Sequence, residues 1–377
     1  MNYLKIVTLA MILITLLASS ASAAIPVNSE GGHTEQMVNK TILGEWWYLN
    51  GNVELVDENG TKMNLAFYKT FAHQEDNRSF YLPDGTKFSA MMVFDGFYFS
   101  DGSVSHHYAD AFIPSSMLGN FIALDTPYVN YTFPTALSTG NFQVSYSGSA
   151  ENGYRLVDDN GNIQMNITYI PKVPTTVDDA QAPLRFITYE QSYGKLSGKI
   201  TINGVNYTIS KGEGYADHMI PMTNGFGWSM DSHGWNWIEI TTKKYQGIFY
   251  GVRDLDDGYH NYTYKHLTII DKNTGKILAD YAGDDVTIAE SNWISETSLG
   301  LFRPEVAVIS APGVQLSIDA EQPVLFDFSQ PYNSGFIDFM AYDGNNDASI
   351  TVNGTTEAGN GFFEYMVSNL GAVTSTI

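Results

Sequence analysis

Leu196-Ser197-Gly198-Lys199-Ile200-Thr201-Ile202-Asn203-Gly204-Val205-Asn206-Tyr207-Thr208-Ile209-Ser210 reads as a β-hairpin. Ile200 and Ile202 alternate with polar residues up to Asn203-Gly204, and Val205, Tyr207 and Ile209 return with the same period of two, as a two-residue primed turn demands. The same grammar extends in both directions. Glu58-Asn59-Gly60, Asp159-Asn160-Gly161 and Asn273-Thr274-Gly275 mark further turns between alternating segments from about Trp46 to the C-terminus. No long amphipathic pattern competes, so the chain is expected to be all-β, built as barrels or sandwiches that leave few open sheet edges.

Upstream, Lys5 precedes an apolar run from Ile6 to Ala18 that closes on Ala21-Ser22-Ala23, the layout of a secretory signal over residues 1–23. A polar, Gly-containing arm is expected over 24–40. About 350 residues then remain, enough for two buried cores. Pro171, Pro174 and Pro183 bracket a stretch without strand pattern, which places the division at about Gln191 and gives domains over 41–190 and 191–377. The run Ile6–Ala18 is too short to favour a membrane span and nothing downstream reaches eighteen apolar residues, so the mature chain is expected to be secreted or held at the cell surface, with no span.

Composition removes several partners. The formal charge is −22, and removal of Lys5 with the leader deepens it by one, so nucleic acid is not expected as a partner. The complete lack of cysteine excludes disulfides, thiolate zinc sites and a cysteine nucleophile together. His106-His107 with Asp110 is expected to be a polar strand end and not a metal site, because neighbouring strand residues point apart. The acidic runs Asp343–Asp347 and Asp254–Gly258 lack a complete calcium-ligand spacing and are expected to be hairpin turns. No metal is expected.

Two strings carry candidate chemistry. In Gly44-Glu45-Trp46-Trp47-Tyr48-Leu49-Asn50, strand geometry sends Trp46 and Tyr48 to one face and Glu45 with Trp47 to the other. Glu45 is either an edge carboxylate beside core aromatics or an acid held in an aromatic cavity, where desolvation raises its pKa. The second string is Gly212-Glu213-Gly214-Tyr215-Ala216-Asp217-His218-Met219, followed by Gly234-Trp235-Asn236-Trp237. Asp217 is either a turn-capping residue or, beside His218, an acid/base candidate, but both enter one cavity only if a bulge or strand end re-aims them. Trp235 and Trp237 share a face, as a packing stripe or as a binding wall.

Taken together these residues resemble the carotenoid 1,2-hydratase (hydroxyneurosporene synthase) and AttH-like family, with kievitone hydratase and lipocalin-like Diels–Alderases as remote relatives. Glu45-Trp46-Trp47-Tyr48 is similar to the family's opening Glu-Trp-Trp-Tyr, and Asp217-His218 to the centre of its middle motif. Gly234-Trp235-Asn236-Trp237 is similar to its Gly-Trp-Asp-Trp, and Gly359-Asn360-Gly361-Phe362-Phe363-Glu364 to its Gly-x-Gly-Tyr-x-Glu ending. Ala216 and Met219-Ile220-Pro221 depart from the aromatic or Met residues that flank the family's Asp-His.

The resemblance implies two lipocalin-like β domains side by side, a cavity involving their interface, a hydrophobic, isoprenoid- or lipid-like ligand and no cofactor. The expected site is then Asp217, His218 and Glu45 as acid/base groups, with Trp46, Trp47, Tyr48, Tyr215, Trp235 and Trp237 against the ligand. Cofactor-free hydration or isomerisation of a C=C bond is one expected activity, and non-catalytic carriage of the ligand is the other.

Overall fold

The computed structural model describes residues 44–75, 85–123, 126, 128–138, 140, 142–180, 186–221, 234–253, 261–296, 301–319, 323–327 and 336–368. The expected signal, the arm and the acidic run Asp254–Gly258 lie outside them.

The chain folds into two curled antiparallel sheets, as the alternating pattern requires. The first contains β1 (Gly44–Asp57), β2 (Lys62–Glu75), β3 (Phe88–Phe99), β4 (Val104–Pro114), β5 (Val129–Thr132), β6 (Gln143–Ser149), β7 (Gly153–Asp159), β8 (Ile163–Pro171), β9 (Thr176–Ala180), β10 (Phe186–Ile202) and β11 (Val205–Pro221). Its order is β4-β3-β2-β1-β11-β10-β8-β7-β6-β5, with β9 also on β10. The second contains β12 (Gly234–Thr242), β13 (Tyr245–Arg253), β14 (Tyr262–Asp271), β15 (Lys276–Ala282), β16 (Thr287–Glu296), β17 (Leu301–Ala311), β18 (Val314–Asp319), β19 (Val324–Asp327), β20 (Phe336–Val352) and β21 (Thr355–Ser368). Its order is β15-β14-β13-β12-β21-β20-β18-β17-β16, with β19 on β20. The second sheet repeats the plan of the first: β12 stands where β1 stands, β21 where β11 stands, and β19 where β9 stands.

The Leu196–Ser210 hairpin joins β10 to β11, with Asn203 at φ 50° and Gly204 at φ 82°, the left-handed pair of a primed turn. The division expected at Gln191 is corrected. β10 runs unbroken through Gln191, and β10 and β11 both pair within the first sheet, so the change of sheet falls between Pro221 and Gly234. The proline-bracketed stretch is not a linker, because Thr176–Ala180 pairs with Phe186–Glu190 as an additional edge strand. The run Asp343–Asp347 is likewise not a hairpin turn but a bulge inside β20, where the register on β21 skips from Asp343 to Ala348.

Each sheet closes over its own apolar core. The N-terminal core gathers Trp47, Leu49, Phe67, Phe71, Tyr131 and Tyr146, and the C-terminal core Ile238, Phe249, Ile309, Phe339 and Tyr365. A third buried layer lies between the sheets and draws on both, with Tyr48, Tyr68, Tyr215 and Met219 from the first and Trp235, Trp237, Tyr250 and Phe362 from the second. The central strands are therefore buried on both faces, which is why β1 reads as a nearly continuous apolar run.

Gly198, at φ 130°, sits where β10 skips register, and a Cβ there would lie 2.3 Å from the Asn166 carbonyl oxygen. Backbone strain and overlap act together at this position. Gly198→Ala is therefore expected to cost about 2–4 kcal/mol, read as a lower urea midpoint at unchanged slope.

Candidate functional site

Antiparallel register decides which side chains meet, because residues directly opposite share a face. On β1 and β11, Tyr48 stands opposite Asp217 and Trp46 opposite Met219, while Trp47 stands opposite His218. Trp46, Tyr48, Tyr215 and Asp217 thus face the layer between the sheets, and Glu45, Trp47 and His218 face the N-terminal core. On β12 and β21, Trp237 stands opposite Glu364 and Trp235 opposite Met366, all facing the same intersheet layer. The expectation that Glu45, His218 and Asp217 converge in one hollow is overturned, since the sheet itself separates Asp217 from the other two.

The intersheet side is an aromatic layer with acids set into it. Trp46 stacks on Trp235 with centroids 6.1 Å apart and planes within 10°, and Tyr48 meets Trp237 edge-on at 5.0 Å. Tyr215 packs on Trp237 at 5.2 Å. Asp217 is 9% exposed. Its Oδ2 accepts a 2.8 Å hydrogen bond from the Tyr215 hydroxyl, and its Oδ1 has no hydrogen-bond partner. Burial pushes its pKa up to about 7, against the lowering effect of that hydrogen bond.

Further carboxyls face this layer, none of them expected from the sequence as site residues: Asp338, opposite Met366 on β21 and pushed well up by burial, and Glu190, Glu364 and Glu239. Glu190, opposite Asp217 on β10, accepts from Thr176 Oγ1 at 3.1 Å, and burial followed by the nearby Asp178 pushes it to about 8. Glu364 accepts from the Trp235 indole N–H at 3.0 Å and is pushed to about 8, chiefly by burial. Glu239 accepts from Gln246 Nε2 at 2.9 Å and is raised by burial to about 7. Asp217 and Glu364 occupy equivalent places in the two sheets: each stands opposite an aromatic of the central strand, Tyr48 and Trp237, and two residues from a methionine that faces the stacked tryptophans. The available signal was an acid two residues from an aromatic, as in Trp237-Ile238-Glu239 and Phe362-Phe363-Glu364.

A groove of about 1100 Å³ opens between the sheets at the end of this layer, lined in part by Asn52, Tyr98, Glu213, Tyr342 and Asn360. Tyr98 belongs to the aromatic layer and Tyr342 packs against it. Ion pairs hold the sheets together at the periphery, with Lys272 on Glu213 at 2.8 Å and His266 bridging Asp178 and Asp280 at 2.6 Å each. Burial opposes the charge on His266, but its hydrogen bonds to the two aspartates outweigh that and push it up to about 11.

On the other face of the first sheet, Glu45 bridges two histidines: Oε1 lies 2.7 Å from His73 Nε2 and Oε2 lies 2.8 Å from His218 Nε2. Trp47 stacks on the His218 ring at 4.7 Å. All of these side chains are buried. His107, expected at a polar strand end, instead lies within β4 and meets Asp95 in the same core at 2.8 Å. No group of three or more acidic or histidine side chains suited to a metal ion occurs among the described residues.

The buried acids tie stability to pH. Unfolded carboxyls lose their protons near pH 4, whereas Asp217, Glu190, Glu239 and Glu364 keep theirs to about 7 or 8. The folded chain binds these protons more tightly, so this stabilisation is full below about pH 4 and is lost as pH rises to about 8. His266 carries the decline further, its contribution being full below about 6.5 and lost through about 11. Denaturant midpoints are expected to be lower at about pH 8 than at about pH 5, and equal midpoints would count against protonated buried acids.

Comparison with solved structures gives the class. The architecture is the two-domain lipocalin-type fold of AttH-like proteins. An AttH-type protein of Nitrosomonas europaea matches with a TM-score of 0.61 at 15% identity, over 86% of this chain and 92% of that one. Kievitone hydratase from Nectria haematococca matches at 0.59 and 11% identity, over 92% and 94% of the two chains. CghA, solved with Sch210972, matches at 0.57 and 13% identity, over 87% and 88%. No family model and no curated protein sequence matches the chain. The likeness is therefore one of fold.

Proposed function

We propose that this protein takes an apolar, unsaturated small molecule into the aromatic layer between its two sheets and adds or moves a proton at a C=C bond, with Asp217 as the acid. The observation that carries this reading is the carboxyl of Asp217: buried among Tyr48, Tyr215 and Trp237, held on one oxygen by Tyr215, and without a partner on the other. An acid kept protonated near neutral pH and aimed into an aromatic enclosure is suited to protonate an alkene. Kievitone hydratase, named for a hydration, shares the fold and supports the same direction.

The proton of Asp217 passes to one alkene carbon, leaving a cation on the more substituted carbon. The faces of Tyr48, Trp235 and Trp237 stabilise that cation by about 1–2 kcal/mol each when water is excluded. Water captures it, and the excess proton returns to the Asp217 carboxylate or passes to Glu364, its counterpart from the other sheet. Loss of a neighbouring proton in place of water capture gives isomerisation. His218 and Glu45 take no part in these steps, because they lie beyond the sheet and hold the N-terminal core. The mature chain acts after export, where the leader over residues 1–23 directs it.

The test is mass spectrometry of apolar compounds co-purified from the native host, followed by incubation of each with the purified protein. A stoichiometric unsaturated compound that gains one water, or shifts its double bond, is the expected result. A stoichiometric compound that is never converted makes the protein a carrier, and failure to bind any apolar compound sinks the reading altogether.

A further inference from the structure

Within the N-terminal core lies a charged cluster that the proposed chemistry does not use. Lys69 on β2 extends into the core, where its ammonium group contacts Asp95 on β3 at 2.8 Å and Asp158 on β7. All three side chains are 0% exposed. The other oxygen of Asp95 meets His107 at 2.8 Å. Phe142 lies 5.7 Å from Lys69 Nζ, and Phe97 and Phe142 both stand edge-on to the His107 ring. An amine and two carboxyls are thus sealed in the core, with the partly exposed His107 imidazole at their edge, and Asp158 Oδ1 has no hydrogen-bond partner.

As separate ions this group is poorly matched to its surroundings, since two carboxylates share one ammonium and an oxygen of one of them stays unsatisfied in an apolar core. β2 and β7 are not neighbours: β1, β11, β10 and β8 separate them along the sheet, so the contact reaches across the barrel. Asp95 stands directly opposite Lys69 on the adjacent strand, where it touches the amine whatever the state of Asp158.

We infer that Lys69 and Asp158 are joined by an intramolecular amide bond, formed within the folded core with Asp95 carrying the protons. Burial pushes the Asp158 carboxyl above its ordinary range even beside Lys69. Burial opposes the charge on Lys69, but Asp158 and Asp95 outweigh it and raise the ammonium's pKa. A proton moved from the ammonium to Asp158 within the cluster leaves a neutral amine facing a neutral acid, a minor form through which the reaction passes. Nζ attacks Cγ of Asp158, and Asp95 takes a proton from the nitrogen and delivers it to the departing hydroxyl. One C–N bond forms, one C–O bond breaks and one water leaves, with no change of oxidation state. The product removes one positive and one negative charge from the core and leaves Asp95 with His107. It also ties two opposite walls of the barrel in a chain that has no cysteine.

Tryptic digestion of the denatured full chain, followed by mass spectrometry, tests this directly. With the bond present, trypsin does not cleave after Lys69, and peptides Met63–Arg78 and Leu156–Lys172 appear as one branched species lighter by one water than their sum. Linear Met63–Lys69 and Leu156–Lys172 at unmodified mass overturn the inference. So does loss of water confined to a linear Leu156–Lys172. Asp95→Asn is expected to give the two linear peptides, and a fully branched digest from that variant overturns the proton-carrying role. If the variant does not fold, the wild-type digest alone decides the bond.

Discussion

Replacing Asp217 by Asn is expected to lower turnover of the bound ligand by about 10²–10⁴-fold while leaving the fold intact. The amide has nearly the volume of the carboxyl and still accepts the Tyr215 hydroxyl that now lies 2.8 Å from Oδ2. It has no acidic proton to give to an alkene. It also cannot ionise, so the variant should lose part of the decline in stability between about pH 4 and 7 that the raised acid causes. Product formation followed by chromatography, with denaturant melts at both ends of that range, separates the two effects. For the unaltered protein, turnover should fall as pH rises through about 7, where the donor loses its proton. Undiminished turnover in Asp217→Asn would remove Asp217 from the chemistry.

The second large effect belongs to the opposite face of the same strands. Glu45→Ala is expected to cost about 3–5 kcal/mol of stability, because it leaves the Nε2 atoms of His73 and His218 facing each other across a buried gap with the bridging carboxylate gone. Glu45→Gln should cost less. Its carbonyl oxygen accepts from one imidazole, its NH2 group donates to the other, and a change of tautomer on that second ring makes the exchange workable. Thermal or urea unfolding of the pair measures the difference, and a near-neutral Glu45→Ala would show that the bridge holds nothing. Because these groups lie behind the sheet, Glu45→Gln should leave ligand conversion nearly unchanged.

These two residues also mark the limit of what the sequence discloses. Alternation along β1 already separates Glu45 from Tyr48, and alternation along β11 separates Asp217 from His218. What alternation does not contain is register: nothing local states that Tyr48 stands opposite Asp217, and a slip of one residue would have brought Glu45 and Asp217 to one face. The hairpin turns were legible because asparagine and glycine at positive φ are written into the residues themselves. The prolines around Thr176–Ala180 misled because an edge strand and a linker tolerate proline for the same reason, neither needing every N–H in a ladder. Trp46, Tyr48, Tyr215, Trp235 and Trp237 do share the intersheet layer, whereas Trp47 stacks on His218 in the core behind it. Glu190 escaped notice because Tyr215 and Asp217 reach it from β11, through a register the local sequence does not state.

The repeated strand plan gives the layer a local two-fold character, with Trp46 stacked on Trp235 near the axis and Asp217 answered by Glu364. Were the halves separate identical subunits, any change on one side of the axis would appear on the other as well. A single polypeptide is released from that constraint. Glu190 and Met340 show the result: they hold matching places beside Asp217 and Glu364, one acidic and one thioether. A long guest lying across such an axis meets different chemistry at its two ends and has one preferred orientation.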